Sequence, residues 1–114
     1  MTYDRFDVVV VPFPFTDRKR ARRRPALVLS SWDRFGRPAG HSVMAMITSA
    51  ANAPWPFDVR IGDLESAGLP APSVVRMKLF TLDHRLVLRK AGELVSADRQ
   101  AVDRAARALL GVRA

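Results

Sequence analysis

One arginine near the N-terminus combines a strongly basic neighbourhood with a restricted position. Six of the seven residues from 18 to 24 are Arg or Lys, and the last of them, Arg24, precedes Pro25. A segment this basic repels itself unless an anion binds to it, and a nucleic acid is the densest biological polyanion. Because Pro25 restricts the residue before it, we expect Arg24 to be positioned at the start of a strand, while the other cations attract the anion.

A positioned arginine and a hydroxyl group could together promote the cleavage of RNA. The 2′-hydroxyl of RNA can attack the neighbouring phosphate, so the substrate supplies its own nucleophile. The guanidinium of Arg24 could stabilise the doubly charged phosphorane through two hydrogen bonds. Thr48 ends another strand-like run and could orient the phosphate or the 2′-hydroxyl. If the two strands pair antiparallel, Arg24 and Thr48 lie at the same edge of the sheet.

These residues also have plainer interpretations, which the sequence leaves open. Arg24 could be a surface arginine that forms a salt bridge with Asp17. Thr48 is β-branched and could simply suit its strand. Two histidines, His41 and His84, would allow a two-histidine ribonuclease mechanism, but both lie beside predicted loops or turns.

Composition restricts the class of protein. The chain has 114 residues, enough for one domain (1–114) with a single core. Its 19 basic and 11 acidic residues give a net charge of +8, which favours a polyanionic partner over a neutral metabolite. A general enrichment of arginine in GC-rich genomes is the alternative explanation. The 48% hydrophobic and 26% charged residues are typical of a globular protein.

The sequence lacks the features that mark several cellular locations and several kinds of catalysis. Cysteine is absent, which fits a reducing cytoplasm and excludes disulfides and thiolate catalysis. The first apolar run is too short and too interrupted by proline for a signal peptide or a membrane span. Patterns typical of metal sites and phosphate-binding glycine loops do not occur, and Ser30, Ser31 and Ser42 have no His–Asp arrangement near them. We therefore expect a cytoplasmic protein without metal or cofactor.

Hydrophobic patterning predicts a mainly β protein. Strands are expected at 7–13, 26–31, 42–48, 57–61 and 73–79. Turn-forming residues predict a hairpin loop at 32–40, and residues 85–89 fit either a strand or a helical turn. One helical turn is expected between Asp63 as N-cap and Gly68 as C-terminal stop.

The C-terminal segment predicts an amphipathic helix over 97–110. Ser96 is the expected N-cap, and the apolar residues at helical spacing, expected to face the core, are Val102, Ala105, Ala106, Leu109 and Leu110. Many short strands and one closing helix predict a small, strongly bent β-barrel with the helix packed on it.

Five segments in the same order as these elements resemble the MazF/PemK family of toxins from bacterial type II toxin–antitoxin systems. They are 7–17 (DVVVVPFPFTD), 24–30 (RPALVLS), 47–49 (ITS), 73–83 (SVVRMKLFTLD) and 92–94 (GEL). The resemblance implies an SH3-like barrel with a C-terminal helix, acting as a homodimer. It also implies metal-independent, sequence-specific cleavage of single-stranded RNA to a 2′,3′-cyclic phosphate and a 5′-hydroxyl. A cognate antitoxin with an acidic C-terminal tail would cover the RNA groove, and a chain of charge +8 suits such a partner.

The family's catalytic residues can be carried over position by position. The arginine before proline corresponds to Arg24, and the catalytic hydroxyl residue corresponds to Thr48. Family members often read Arg-Thr-Ile-Asp where this chain reads Phe-Thr-Leu-Asp at 80–83, so Asp83 is kept while Phe80 replaces the arginine. The resemblance implies catalytic roles for Arg24, Thr48 and Asp83. The missing arginine leaves two alternatives open: Arg76 or Lys78 on the same strand substitutes for it, or this branch of the family does not use that group. The expected RNA-binding residues are Arg18, Lys19, Arg20, Arg22, Arg23, Ser49, Arg76 and Lys78.

Two other functions remain open at this point. A non-catalytic barrel that binds RNA or DNA would share the charge and the fold, but would not need a positioned pair of Arg24 and Thr48. A toxin that acts on a protein target such as gyrase would rely on its C-terminal residues, which here lack a bulky aromatic or acidic end. The aromatic residues that could stack on unpaired bases are Trp32, Phe35 and Trp55.

Overall fold

The computed structural model describes residues 1–13 and 22–113. The strands in this part of the chain are β1 (Asp7–Phe13), β2 (Arg22–Val28), β3 (His41–Ser49), β4 (Val59–Arg60), β5 (Ser73–Asp83) and β6 (Arg89–Glu93). The helices are α1 (Arg37–Ala39), α2 (Leu64–Ala67) and α3 (Ser96–Leu110), with a π-helical turn at Trp32–Gly36 and a 3-10 turn at His84–Leu86.

The strands form a single antiparallel sheet in the order β4-β5-β3-β2-β1-β6. The sheet curves into a half-barrel whose edge strands, within the described residues, are β4 and β6. The predicted mainly β fold with a C-terminal helix is confirmed.

Apolar side chains cover both faces of the sheet. Val8, Leu27 and Ile47 belong to a buried cluster that includes residues of α2 and α3. Val9 and Val28 belong to a second cluster on the opposite face. This two-sided burial explains why residues 8–11 are all valine, because a strand with both faces covered reads as a continuous hydrophobic run.

Strand β2 differs from its prediction at its beginning. It was expected to begin at residue 26, yet Arg22 and Arg23 already pair with Phe13 and Pro12 of β1. The last three residues of the basic run, including Arg24, therefore belong to a strand and not to a loop. Pairing with β1 extends β2 through a basic segment that local preference does not assign to a strand.

The helices agree with prediction in part. Asp63 caps α2 by accepting a hydrogen bond from the Ser66 amide, and Gly68 ends it with φ of 72°. The predicted capping of α3 by Ser96 is wrong, because Ser96 is the first helical residue and Val95 occupies the cap. Leu109 and Leu110 are 38% and 68% exposed, so the predicted apolar stripe leaves the core in the last turn of α3.

The other predicted strands differ mainly in length. β5 continues to Asp83, beyond the expected end at residue 79, because it pairs with β3 along its whole length. A bulge in β5 interrupts this pairing between Ala45 and Met46. β4 keeps only Val59–Arg60. The ambiguous segment 85–89 contains both alternatives, since a 3-10 turn ends at Leu86 and β6 begins at Arg89.

Candidate functional site

The pairing of β2 with β3 places Arg24 level with Thr48. The two strands are antiparallel, as the sequence argument required, and the recorded pairing ends where Ala26 faces Met46. Continuing this register by two residues on each strand brings Arg24 opposite Thr48. Residues two apart on a strand share a face, so both point to the same side of the sheet as Ala26 and Met46.

Arg24 itself is half-buried and faces Val11 of β1. Among residues 1–13 and 22–113, no carboxylate lies within salt-bridge distance of Arg24. Asp17, the partner in the plainer interpretation, lies outside the described residues. Within the described part of the chain, the guanidinium is therefore available for an external anion.

The hydroxyl of Thr48 has a partner that the sequence did not reveal. The side-chain amide of Asn52 donates a hydrogen bond from Nδ2 to Oγ1 of Thr48, with 2.7 Å between the two atoms. Asn52 lies in the turn after β3, and Ser49 Oγ accepts from the Ala51 amide in the same turn. A lone asparagine four residues after a threonine carries no recognisable signal, so sequence reasoning could not have found this contact.

Arg76 anchors the loop that follows this turn. It faces Met46 across β5 and β3, which puts it on the face that carries Arg24 and Thr48. Its guanidinium donates to both carboxylate oxygens of Asp58, at 3.2 and 3.0 Å, and to the carbonyl oxygen of Ala53 at 2.7 Å. The predicted RNA-binding cation is thus already engaged in holding residues 53–58.

The anchored loop carries strain, charge and aromatic surface. The hydrogen bonds from Arg76 hold the pKa of the Asp58 carboxyl below its usual value. Phe57 adopts φ of 63°, a conformation that is costly for a residue with a side chain. Trp55 is 42% exposed, and the Lys78 ammonium lies 4.4 Å from the centre of its ring. Lys78 and Trp55 therefore form a joint cationic and aromatic surface beside the site.

Asp83 lies at the other end of β3. It pairs with His41, seven residues before Thr48, which corresponds to roughly 23 Å along a strand. Its carboxylate accepts from the Arg85 amide and guanidinium, so it caps the 3-10 turn. These contacts, chiefly with the Arg85 side chain, place the pKa of Asp83 far below its usual range. The continued β2–β3 register thus sets Arg24 opposite Thr48 within one chain, whereas Asp83 lies at the far end of β3.

The two histidines do not form a pair at this site. His84 Nε2 lies 2.7 Å from Oγ of Ser42, which is fully buried, and its ring lies between those of Tyr3 and Trp32. Burial lowers the pKa of His84. His41 lies near Asp83, with 4.0 Å between Nε2 and the carboxylate. Ser42 and His84 thus form a close contact between residues that are 42 positions apart in the sequence, in which the serine is fully buried and the histidine half-buried.

The remaining predicted residues fall into three groups. Arg18, Lys19 and Arg20 lie outside the described residues. Arg22 and Arg23 are exposed on β2, and Phe80 packs against the second core cluster. Trp32 packs against His84, while Phe35 is 38% exposed.

The described residues hold neither a metal-binding cluster nor a helix that could span a membrane. No group of three or more His, Cys, Asp or Glu side chains within 1–13 and 22–113 could hold a metal ion. In the same part of the chain, no helix combines the length and the apolar character needed to cross a membrane.

The chain is similar to one family of known proteins in both sequence and fold. Residues 4–110 match the model of the family described as PemK-like, MazF-like toxin of type II toxin–antitoxin system. A MazE–MazF complex from Deinococcus radiodurans has a chain of 24% identity and TM-score 0.79, with 99% of this chain and 100% of that chain covered. No curated protein matched the sequence.

Two further solved structures are similar. An endoribonuclease in complex with its cognate antitoxin, from Mycobacterial species, is 18% identical with a TM-score of 0.76, and the match covers 99% of this chain and 97% of that chain. The Mycobacterium tuberculosis toxin MazF-mt6 is 20% identical with a TM-score of 0.72, and covers 95% and 99%. At these identities the similarity establishes the shared fold.

Proposed function

This chain belongs to the PemK-like, MazF-like family of toxins of type II toxin–antitoxin systems, and we propose that it is a metal-independent endoribonuclease that cleaves single-stranded RNA at specific sequences. The observation that carries the proposal is the antiparallel β2–β3 register, whose continuation beyond the Ala26–Met46 pair sets Arg24 and Thr48 on one face of adjacent strands. A structural match described as an endoribonuclease in complex with its antitoxin adds support at the level of the fold.

In the proposed reaction the RNA supplies the nucleophile. The 2′-oxygen forms a bond to the phosphorus, and the bond from phosphorus to the 5′-oxygen of the next nucleotide breaks. The 2′-hydroxyl loses one proton to water and the leaving 5′-oxygen gains one from water, so the products are a 2′,3′-cyclic phosphate and a 5′-hydroxyl. The protein's task is to bind the phosphate and stabilise the charge that develops on it.

Arg24 is proposed as the main source of that stabilisation. Its guanidinium has no carboxylate partner within the described residues, and it can donate two parallel hydrogen bonds to a phosphate. Thr48 is proposed to donate its hydroxyl proton to a phosphate oxygen, since its own oxygen already accepts from Asn52. We assign no proton transfer to Asp83, because its carboxylate is held by Arg85 and is a weak base with so low a pKa.

Partners and assembly are part of the same proposal. A cognate antitoxin with an acidic C-terminal tail would bind the face of the sheet that carries Arg24, consistent with the net charge of +8. A homodimer is proposed from the family resemblance, and the cytoplasmic location stays a prediction from the sequence.

The proposal can be tested with purified protein and a mixed-sequence single-stranded RNA in EDTA. We expect cleavage with cyclic-phosphate ends by the parent chain, and a loss of at least about a hundredfold in Arg24→Ala, the scale of removing one strong transition-state contact. Arg24→Lys keeps the charge but not the paired donors, so it should restore little activity. The matched control is Arg104→Ala, which removes an exposed arginine of α3.

Each alternative predicts a different result. Binding of many RNAs without cleavage would indicate a binding module. Equal cleavage by the parent and Arg24→Ala would contradict the assigned role of Arg24. Absence of both RNA binding and cleavage, together with inhibition of gyrase, would indicate a toxin with a protein target.

A further inference from the structure

A second cationic site lies on the face of β2 opposite to Arg24. A cavity of about 190 Å³ opens there, with Arg23 and Arg89 among its lining residues. Val10, Pro25, Leu69 and Pro70 provide an apolar floor. Pockets that hold a complete small ligand usually start at about 300 Å³, so this cavity fits a fragment of a larger ligand.

The sheet register explains why the two arginines converge. Val10 of β1 pairs with Pro25 on one side and with Arg89 on the other, so these three residues share a face. Arg23 lies two residues before Pro25 on β2 and shares that face too. Their strands are separated by β1 alone, or roughly 10 Å, and two long side chains can meet around one anion across that distance.

Both arginines lack an intramolecular counter-charge in the part of the chain described. Both are exposed, and no carboxylate among residues 1–13 and 22–113 forms a salt bridge with either. By contrast, Lys90, the neighbour of Arg89, is paired with Asp7 and Glu93. Two unpaired guanidinium groups above an apolar floor are suited to a phosphate joined to a ribose or a base.

We propose that this cavity, called here the Arg23–Arg89 subsite, binds one nucleotide of the RNA strand away from the scissile phosphate. The phosphate lies between the two guanidinium groups, and the ribose or base rests on Pro25, Leu69 and Pro70. Arg23 and Arg24 are consecutive and point to opposite faces of β2, so the subsite is adjacent to Arg24 along the strand but lies on the other face of the sheet. An acidic peptide could also pair its carboxylates with the two arginines, and the polyglutamate comparison below distinguishes it from RNA.

This inference rests on the proposed action on RNA, and binding of uncleavable RNA tests it separately from cleavage. The probes are all-2′-O-methyl RNAs of increasing length, which lack the attacking 2′-hydroxyl. The double variant Arg23→Ala/Arg89→Ala is compared with Arg104→Ala/Arg113→Ala, which removes the same charge from exposed residues in and after α3. All four arginines are exposed, and circular dichroism checks the fold.

We expect the affinity of the first double variant for long RNA to fall about tenfold to a hundredfold, and that of the control to change little. The slope of log Kd against log salt should decrease by about 0.7 when one single-strand phosphate contact is lost. Short RNAs that do not reach the subsite should bind the two double variants equally. Arg23→Lys/Arg89→Lys should recover the salt slope, because the charge is restored.

Three results would overturn the inference or its premise. If both double variants bind long RNA with equal affinity and the parent chain binds and cleaves RNA, the subsite is contradicted but the proposed function is not. If the parent chain neither binds the 2′-O-methyl RNAs nor cleaves RNA, both the proposed function and the subsite are contradicted. If Arg23→Ala/Arg89→Ala binds polyglutamate more weakly than the parent chain but binds RNA equally well, the cavity binds an acidic peptide instead.

Discussion

Asn52 donates a hydrogen bond to the hydroxyl oxygen of Thr48, 2.7 Å away, from the turn that follows β3. A hydroxyl that accepts at its oxygen directs its own proton elsewhere. Since the β2–β3 register, continued from the Ala26–Met46 pair, sets Thr48 opposite Arg24, the proposed site offers the hydroxyl proton and the guanidinium to one anion. Asn52 thus sets the direction in which the Thr48 hydroxyl donates its proton in the proposed site.

Reversing that hydrogen bond should slow cleavage. In Asn52→Asp a carboxylate would accept the proton of Thr48, and its charge would repel the phosphate. We expect the single-turnover rate at saturating RNA to fall about tenfold to a hundredfold, the cost of one to two charge-assisted contacts. Asn52→Ala removes the bond without reversing it and should lose less. Equal rates for the parent and Asn52→Asp would show that Thr48 is not oriented in this way.

The ion pair between Arg76 and Asp58 should stabilise the fold in a pH-dependent manner. Both side chains are mostly buried, at 13% and 18% exposure, so Asp58→Asn should lower the free energy of unfolding at neutral pH by about 1–3 kcal/mol. The pKa of Asp58 is lowered in the folded state. Its contribution is therefore complete above the unfolded pKa of about 3.9 and is lost as the pH falls towards the folded value.

Urea denaturation at several pH values measures this contribution. The difference in unfolding free energy between the parent and Asp58→Asn should be largest near neutral pH and shrink below about pH 4. The same substitution at Asp33, which is exposed and paired with Arg37, is the control and should change stability little. A difference that stays constant from neutral to acidic pH would contradict the role of the charge.

The contact between Ser42 and His84 should be structural. Ser42→Ala would leave the half-buried imidazole nitrogen without its partner, and we expect a loss of about 1–2 kcal/mol in unfolding free energy. RNA cleavage per folded molecule should be unchanged, because Ser42 is fully buried. Loss of cleavage at unchanged stability would instead indicate a catalytic serine.

The lowered pKa of His84 also gives a pH dependence. Burial disfavours the charged ring, so the unfolded chain binds the proton more strongly. The contribution of neutral His84 to the unfolding free energy should therefore be fully present above about pH 6.5. It should decrease as the pH falls from there towards the pKa of His84 in the folded state. Chemical denaturation of the parent and of His84→Phe between neutral and mildly acidic pH measures this term. A decrease of the same size in both proteins would exclude His84 as its source.

Asp83→Asn separates capping from catalysis. The carboxylate caps the turn at His84–Leu86 and pairs with Arg85, so we expect a small loss of stability, typical of a lost cap. Cleavage should stay within about tenfold of the parent, less than the loss typical of a general acid or base. A loss of a hundredfold or more in single-turnover rate, with RNA binding intact, would restore the catalytic role that the family resemblance implies.

Local residue patterns determined most of the elements of this fold. The valine run predicted β1 with its observed bounds, and Asp63 and Gly68 predicted both ends of α2, because capping and glycine chemistry act within a few residues. The basic run and Pro25 singled out Arg24, and the end of a strand singled out Thr48. Their separation along the chain was compatible with a shared site, but only the antiparallel β2–β3 register placed them level.

Tertiary structure alone decided the rest, because those contacts join segments that are distant in sequence. Pairing with β1 drew Arg22–Arg24 into β2 against local preference. The curved sheet set Asp58 on Arg76 and Ser42 on His84, which spacing could not reveal. The pairing of β1 with β2 and β6 placed Arg23 and Arg89 on either side of β1. The pairing of β3 with β5 left Asp83 far from Thr48. The sequence shows which side chains could take part in catalysis or binding, whereas the register of the strands determines which of them lie close together.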